Sequence, residues 1–277
     1  MAAGTLPPAE PLAPGLAALP RVMGADGVMV PFRPPPGTPT GTTRWREITV
    51  AILARLGERL TRHGPHVTRR CQRRFVAVLG AIDDWTPRWW REAVRQGVST
   101  AVQVGWLSDG GRGFWTVFQR CVQAVGATAI RDFYPAAQNR YQGAAAGLDG
   151  RTRAGPQWLA RLRHPLRHGH EPQVLAELAA LVEAEPFPES ARETLTNGYN
   201  YLKTHEAHIQ YDEFKAAGLP IGSGLVESAC QWLIQQRFKG VGMRWSEPGF
   251  NHRLHLRWAW VNQRFDHCFP AMIPSPN

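Results

Sequence analysis

The sequence predicts an α/β fold, in which a mixed sheet is flanked by helices and an all-helical insertion precedes the last helices. Runs with β propensity alternate with helical runs through residues 21–149, an order typical of α/β and α+β domains. Residues 150–217 show no strand signal, and prolines separate their helical runs. The 277 residues suffice for one large domain or two smaller ones. The hydrophobic content of 43% excludes global disorder.

The first predicted strand covers residues 21–33 and follows an Ala- and Pro-rich segment, residues 1–20, that we expect to be a flexible arm. The β propensity of this strand comes from Val22, Val28 and Val30. Asp26 and Gly27 lie between these valines, and an Asp-Gly pair between apolar residues is also a strong signal for a hairpin turn. The residues alone therefore favour a turn at Asp26.

Two further strands are predicted over residues 45–56 and 73–82, and three strands in series indicate an antiparallel meander. A helix is predicted next, over residues 83–98. It carries three tryptophans that we expect to pack in the core, Trp85, Trp89 and Trp90.

A second β–α passage begins with a predicted strand over residues 100–107. Asp109 follows this strand, then comes a glycine-rich turn, and a helix begins at Phe114. A carboxylate in this position suits a metal ion beside a phosphate, and it suits a helix cap equally well. Another strand and another helix are predicted over residues 127–133 and 136–146.

The remaining elements are helical. Three helices are predicted within the insertion, over residues 173–185, 189–204 and 206–217. The next helix starts after Ser223, and Glu227 lies about one turn inside it. Because the helix dipole favours an acid there, the residues alone favour a structural role for Glu227. A last helix is predicted over residues 249–265, and residues 270–277 are expected to be a disordered tail.

The charge of the chain indicates a polyanionic partner. The net charge is +10, with balances of +8 in residues 1–149, −1 in residues 150–218 and +3 in residues 219–277. The densest run, Arg55 to Arg74, contains seven arginines and one acid. No apolar run is long enough to span a membrane. The four cysteines lie far apart, which disfavours a zinc or disulfide framework and fits a reducing cytoplasm.

Four motifs together resemble bacterial insertion-sequence transposases of the DDE type. The C-terminal motif is Pro-Ile-Gly-Ser-Gly-x-Val-Glu-Ser-Ala from Pro220, followed by Gln-x-Arg and Gly-Met-Arg-Trp-Ser. The others are Asp-Gly-Val-Met-Val-Pro-Phe-Arg from Asp26, Trp-Leu-Ser-Asp-Gly-x-x-Gly-Phe-Trp from Trp106, and Asp-Phe-Tyr-Pro-Ala-Ala from Asp132. The chain is most similar to the Kra-type insertion elements, which are relatives of the Mutator-like transposases. The resemblance covers residues 21 to 269.

This resemblance implies an enzyme whose three carboxylates hold Mg²⁺, with Mn²⁺ as a substitute. The matching catalytic and metal-binding residues are Asp26, Asp109 and Glu227. The resemblance further implies double-stranded DNA as substrate, both as element ends and as target, with a homo-oligomer acting on it near the bacterial nucleoid. The predicted element order also fits an RNase H-like core in two parts, residues 21–149 and 218–269, and such a sheet can bring the three acids together.

Basic residues after the Glu227 helix and in the run from Arg55 to Arg74 are expected to contact DNA phosphates. This expectation comes from charge and position. It covers Arg237, Lys239 and Arg244 after the Glu227 helix, together with Arg69, Arg70, Arg73 and Arg74 in the arginine-rich run.

Two alternatives stay open. One is a truncated or inactive copy that only binds DNA, because relatives carry an N-terminal DNA-recognition region that is not found before Asp26. In addition, Pro135 replaces a histidine of the family motif. The other alternative is a hydrolase with paired carboxylates, such as a glycosidase, which the basic charge disfavours.

Overall fold

The computed structural model describes residues 6–39, 41–60, 66–109, 111–133, 163–183 and 189–268. The chain divides into two compact units. The first unit comprises Met1–Val104, Arg112–Ala127 and Gly224–Asn277, and the second comprises Gly105–Gly111 and Thr128–Ser223. Within the described ranges, no helix is both long and apolar enough to cross a membrane.

Three long antiparallel strands form the sheet of the first unit, which confirms the predicted meander. They are β1 (Arg21–Phe32), β2 (Arg44–Leu60) and β3 (His66–Leu79). Asp26 lies opposite Val50 and Gly27 lies opposite Thr49, so the Asp-Gly pair is in the middle of a continuous strand. The hairpin turn that the residues alone favoured at Asp26 is therefore wrong. The flanking residues of β1 are almost all buried, and their burial outweighs the local turn preference.

Two short strands complete the sheet. These are β4 (Val104–Ser108) and β5 (Thr128–Arg131), which run parallel with Gly105 opposite Thr128. The described strands form one five-stranded mixed sheet in the order β3-β2-β1-β4-β5. The prediction of a mixed sheet with flanking helices is thus confirmed. The strand expected from residue 100 begins only at Val104, because a 3₁₀ turn occupies Val98–Thr100.

The described helices agree in order with the sequence prediction. Helix α2 continues as a π-helical turn over Phe118–Val122, and α6 continues as another over Gln231–Gln235 with a last turn over Gln236–Phe238. The helix predicted over residues 136–146 lies outside the described residues. The labelled helices are α1 (Ile82–Arg95), α2 (Arg112–Val117), α3 (Glu171–Glu183), α4 (Glu189–Thr204), α5 (Tyr211–Ala216), α6 (Gly224–Cys230), α7 (Glu247–Val261) and α8 (Phe265–Cys268).

Aromatic side chains fill the core of the first unit. Trp85 and Trp89 of α1 are fully buried and stack with ring centroids 5.3 Å apart. Trp90 is half-buried and contacts Trp89. The expectation that these tryptophans pack internally is confirmed for Trp85 and Trp89. A second cluster joins Phe238, Trp245 and Phe250 at the C-terminal end of the chain.

Residues 6–20, predicted as part of a flexible arm, are instead fastened to the first unit. The Glu10 backbone N–H donates to the Arg95 carbonyl at 2.7 Å, and the Glu10 carboxylate pairs with Arg264. Arg55 donates to the Leu19 carbonyl at 2.9 Å. Because backbone and side-chain hydrogen bonds both hold this segment, its Ala- and Pro-rich composition does not make it free.

Candidate active site

One pocket of the first unit brings together two of the three predicted catalytic acids. Asp26 of β1 and Glu227 of α6 both line this pocket, which has a volume of about 450 Å³. The two residues come from opposite ends of the chain. The pocket is otherwise lined by Gly27, Val28, Met29, Cys230, Gln231, Gln235 and Lys239.

Strand β1 places Asp26 through the burial of its neighbours. The residues before Asp26 and most of those after Gly27 are buried, while Asp26 and Gly27 themselves are half-buried. An Asp26 carboxylate oxygen accepts a hydrogen bond from the Gly27 N–H at 2.7 Å. The backbone on both sides is thus held by the core, and the carboxylate lies at the wall of the pocket.

Helix α6 places Glu227 by burying its opposite face. Leu225, Val226, Ala229 and Cys230 are buried, whereas Glu227 and Ser228 are exposed. The helix packs on β1 and β2. The following π-helical turn then widens the helix by one residue, and both Gln231 and Gln235 line the same pocket as Glu227. Such turns occur often at functional sites.

The pKa of the Cys230 thiol reflects its burial and the negative charge in the pocket. Burial, followed by the negative charges of Asp26 and Glu227, raises the pKa of this thiol far above its ordinary value. The Cys230 thiol is therefore protonated at neutral pH, which disfavours it as a thiolate nucleophile. The charged oxygens in the pocket belong to the two carboxylates, and Lys239 adds a positive charge to the lining.

Asp109, the third predicted acid, belongs to the second unit. It is exposed and directly follows β4, and its carboxylate accepts the Gly111 N–H at 2.9 Å. Its carbonyl accepts a hydrogen bond from the Arg131 guanidinium at 3.4 Å. The end of β5, where Arg131 lies, thus helps to hold the backbone of Asp109.

The surroundings of Arg131 were not predicted from the sequence. Its guanidinium donates to the Tyr201 hydroxyl at 3.3 Å and lies 2.7 Å from His205 Nε2. Burial lowers the pKa of Arg131. Burial and the charge of Arg131 lower the pKa of His205 to about 4, so the imidazole is neutral at neutral pH. The closeness of His205 to His208 in the sequence is the signal from which this cluster could have been found.

The residues of the pocket fit a hard divalent ion through two carboxylates. Mg²⁺ prefers oxygen ligands and is often held by one or two carboxylates, with waters and substrate phosphates completing its shell. Asp26 and Glu227 offer that donor set. Among the described residues, no group of three or more His, Cys, Asp or Glu side chains is arranged to hold a metal ion. A three-acid centre that includes Asp109 therefore stays a prediction.

The predicted DNA-contacting residues lie mostly on the surface of the first unit. Arg74 is half-buried and pairs with Glu10 at 3.6 Å, and Arg244 donates to the Gly41 carbonyl at 3.3 Å. Arg55, which begins the arginine-rich run, is only 1% exposed. Arg55 is therefore not available to DNA. The exposed members of the predicted set are Arg69, Arg70, Arg73, Arg237, Lys239 and Arg244.

No family model and no curated protein matches the chain. Among solved structures, the chain is similar to the Drosophila P element transposase strand transfer complex, with 10% sequence identity. The similarity covers 89% of this chain and 78% of that chain, with a TM-score of 0.42. A TM-score of this size does not assign a fold or a function.

Proposed function

We propose that this chain is a DDE-type DNA transposase that cuts and joins DNA strands at the ends of an insertion element. The observation that carries the proposal is the shared pocket of Asp26 and Glu227. These two acids occupy the first and third catalytic positions of the motifs that resemble the bacterial transposases. A fold in which they lined different surfaces would have removed the basis for the proposal.

In this proposal the carboxylates of Asp26 and Glu227 hold Mg²⁺, and Asp109 is the third ligand. Bound divalent ions stabilise the charge that develops on a phosphodiester during transfer. Lys239 lies in the same pocket and neutralises a scissile or neighbouring phosphate. Burial raises the pKa of the Cys230 thiol, which disfavours a thiolate nucleophile. In this proposal, water or a DNA 3′-hydroxyl is the attacking group.

The chemistry is a direct exchange of phosphodiester bonds. In the first reaction, water attacks the phosphorus atom and the bond to the 3′ oxygen breaks, which releases a 3′-hydroxyl. In the second reaction that hydroxyl forms a new bond to phosphorus in the target strand, and the target's own 3′ oxygen leaves. No covalent bond to the protein is formed, so the residues of the pocket bind and orient DNA.

The fold proposed for this activity is an RNase H-like core with a helical insertion. The strand order β3-β2-β1-β4-β5, with three antiparallel strands and a parallel pair, is the order expected for such a core. The described residues between β5 and α6 form helices, as expected for the insertion. Exposed arginines and Lys239 of the first unit would then contact the DNA backbone.

A divalent-ion-dependent joining assay tests the proposal. A labelled duplex with a free 3′-hydroxyl is incubated with supercoiled plasmid in Mn²⁺ or Mg²⁺, and joined or nicked products are measured. Asp26→Asn, Asp109→Asn and Glu227→Gln should each reduce product at least about a hundredfold, because each removes charge that a bound ion requires. Glu193→Gln, an exposed acid of α4, is the matched control and should keep wild-type activity.

The same assay separates the proposal from its alternatives. Wild-type protein that binds duplex DNA but yields no joined or nicked product in either ion would be a DNA-binding remnant. Product formation that survives Asp26→Asn or Glu227→Gln would exclude the carboxylate pocket as the active site.

A further inference from the structure

A large groove follows the edge of β3 in the first unit, apart from the pocket of Asp26 and Glu227. Its volume is about 740 Å³, and Val76, Ala77 and Val78 form its floor. Helix α1 contributes Arg88, Arg91, Glu92 and Arg95 to its walls, and α7 contributes His252, His255, Leu256, Trp258 and Ala259. Among the described strands, β3 is at the edge of the sheet.

The backbone of Ala77 points into this groove. Phe75, opposite Ile52, donates its N–H to Asn262 Oδ1 at 2.8 Å, and its carbonyl accepts from Asn262 Nδ2 at 2.9 Å. Phe75 therefore directs its peptide groups away from β2. In an antiparallel ladder every second residue faces the same way, and the register from Phe75 to Ala77 is regular. The N–H and the carbonyl of Ala77 therefore point away from β2, and Ala77 lies in the floor of the groove.

The hydrogen bonds of Asn262 show which chemical groups fit the edge of β3. Its side-chain amide donates to and accepts from the backbone of Phe75, as a peptide group of an added strand would. Ala77 is the next outward-facing residue along β3. Asn262 thus covers the edge of β3 at Phe75, and the edge is open to the groove at Ala77.

The walls of the groove carry positive charge. Arg88 and Arg91 are exposed and lie one turn apart on α1. Within the described part of the chain, no ion pair involves either residue. The acid in the lining, Glu92, is only 3% exposed and pairs with Arg264 at 2.7 Å. The positive charges of Arg88 and Arg91 are therefore available to a bound ligand.

We infer that this groove binds an extended, acidic peptide of a partner protein, which adds to β3 as a further strand. Peptide groups supply the donor and acceptor that Ala77 requires, acidic side chains meet Arg88 and Arg91, and apolar side chains cover Leu256, which is 43% exposed. A nucleic-acid backbone fits less well, since its phosphates offer acceptors but no donors. The inference does not depend on the transposase proposal.

The first test uses a labelled, end-blocked octapeptide of alternating Glu and Val, with binding followed by fluorescence anisotropy. Ala77→Pro removes the outward N–H and leaves the ladder bonds to β2, and proline is tolerated in an edge strand with its nitrogen facing outward. Wild-type protein should bind the peptide, and Ala77→Pro should weaken binding about fivefold or more, the factor for one lost hydrogen bond. Circular dichroism checks that the variant is folded.

A second test leaves the fold of β3 untouched. The same peptide methylated at every amide nitrogen cannot donate to the edge and should bind wild-type protein at least about fivefold more weakly. The double variant Arg88→Gln, Arg91→Gln should weaken the acidic peptide further. Arg120→Gln, an exposed arginine of the π-helical turn after α2, is the control and should have no effect.

Several results would overturn the inference. These are the absence of peptide binding to wild-type protein, equal binding of a Lys-Val peptide, or equal binding of the methylated peptide. An oligonucleotide whose binding requires Arg88 and Arg91 but is indifferent to Ala77→Pro would make the groove a nucleic-acid surface instead. Dimerisation that is lost in Ala77→Pro and that blocks the peptide would make a second copy of the chain the occupant.

Discussion

At the scale of single residues, the environment decides what a charged side chain can do. Asp26 is half-buried beside a pocket, and its charge acts on the thiol of Cys230. Arg55 is almost fully buried and holds residues 17 and 19 through their carbonyls, so it fastens the N-terminal segment. Glu92 is buried against Arg264, and removal of Arg264 would take away the closest ion pair of this buried carboxylate.

His205 predicts a pH dependence of stability. Burial, followed by the charge of Arg131, lowers its pKa from 6.5 to about 4. Between these pH values the unfolded chain binds a proton at His205 that the folded chain does not. The contribution of neutral His205 to the free energy of unfolding should therefore be complete above pH 6.5 and should be lost as the pH falls toward 4.

Urea unfolding of wild type and His205→Gln at pH 7 and pH 5 measures this effect. The variant should lose less stability than wild type over that interval. Some dependence should persist, because the pKa of His208 is also lowered by burial. His252→Gln, at an exposed site on α7, should keep the wild-type dependence. Equal pH dependence in wild type and His205→Gln would show that His205 does not remain neutral in the folded protein.

At the scale of elements, hydrogen bonds join the C-terminal part of the chain to the strands at defined points. Trp245 forms an isolated bridge with Phe32 at the end of β1, and the Trp258 indole donates to the Phe75 carbonyl at 2.8 Å. Asn262, at the C-terminal end of α7, is fully buried and bonds both backbone groups of Phe75. Helix α7 and the residue that follows it are thus hydrogen-bonded to the edge of β3.

Replacement of Asn262 should destabilise the first unit. Asn262→Ala removes both side-chain bonds and leaves the Phe75 N–H buried without its partner, which should cost about 1–3 kcal/mol of unfolding free energy. Urea unfolding followed by tryptophan fluorescence provides the measurement. Gln236→Ala, at an exposed helical position, should stay within about 0.5 kcal/mol of wild type. A similarly small change for Asn262→Ala would mean that the bonds to Phe75 contribute little.

At the scale of the whole molecule, the charge of the chain is unevenly distributed. The net charge is +10, and residues 150–218 contribute none of the excess. Part of the basic excess is used internally, as with Arg55 and Arg264. Other basic residues, which include Arg237 and Lys239, are exposed and are available to contact a DNA backbone.

Under the proposed function, binding of the chain to duplex DNA should depend steeply on salt. Each phosphate contact should add about 0.9 to the slope of log affinity against log salt concentration. Arg237→Gln and Lys239→Gln should each reduce that slope by about one and weaken binding to all sequences alike. Titrations at salt concentrations between about 50 and 200 mM measure this slope, because affinity that depends on phosphate contacts falls strongly over that range. Arg120→Gln is the control, and a slope unaffected by Arg237→Gln and Lys239→Gln would place the DNA elsewhere.

The order and type of most elements follow from the sequence alone, because they depend on local patterns. Alternating and β-branched residues predicted β1, β2 and β3, and helical spacing predicted α1, α4 and α7. The motifs around Asp26, Asp109 and Glu227 also stand in the sequence, and with them the hypothesis of a transposase. Each of these signals spans only a few residues, so no tertiary information is needed to recognise it.

The tertiary structure decided which distant residues meet. It placed Asp26 in the middle of a strand instead of a turn, brought Glu227 to the same pocket, and buried Arg55 within the first unit. It also left Ala77 at a groove that α1 and α7 border. Burial and pairing depend on neighbours that are remote in the chain, and a local pattern cannot specify which side chain will arrive opposite another.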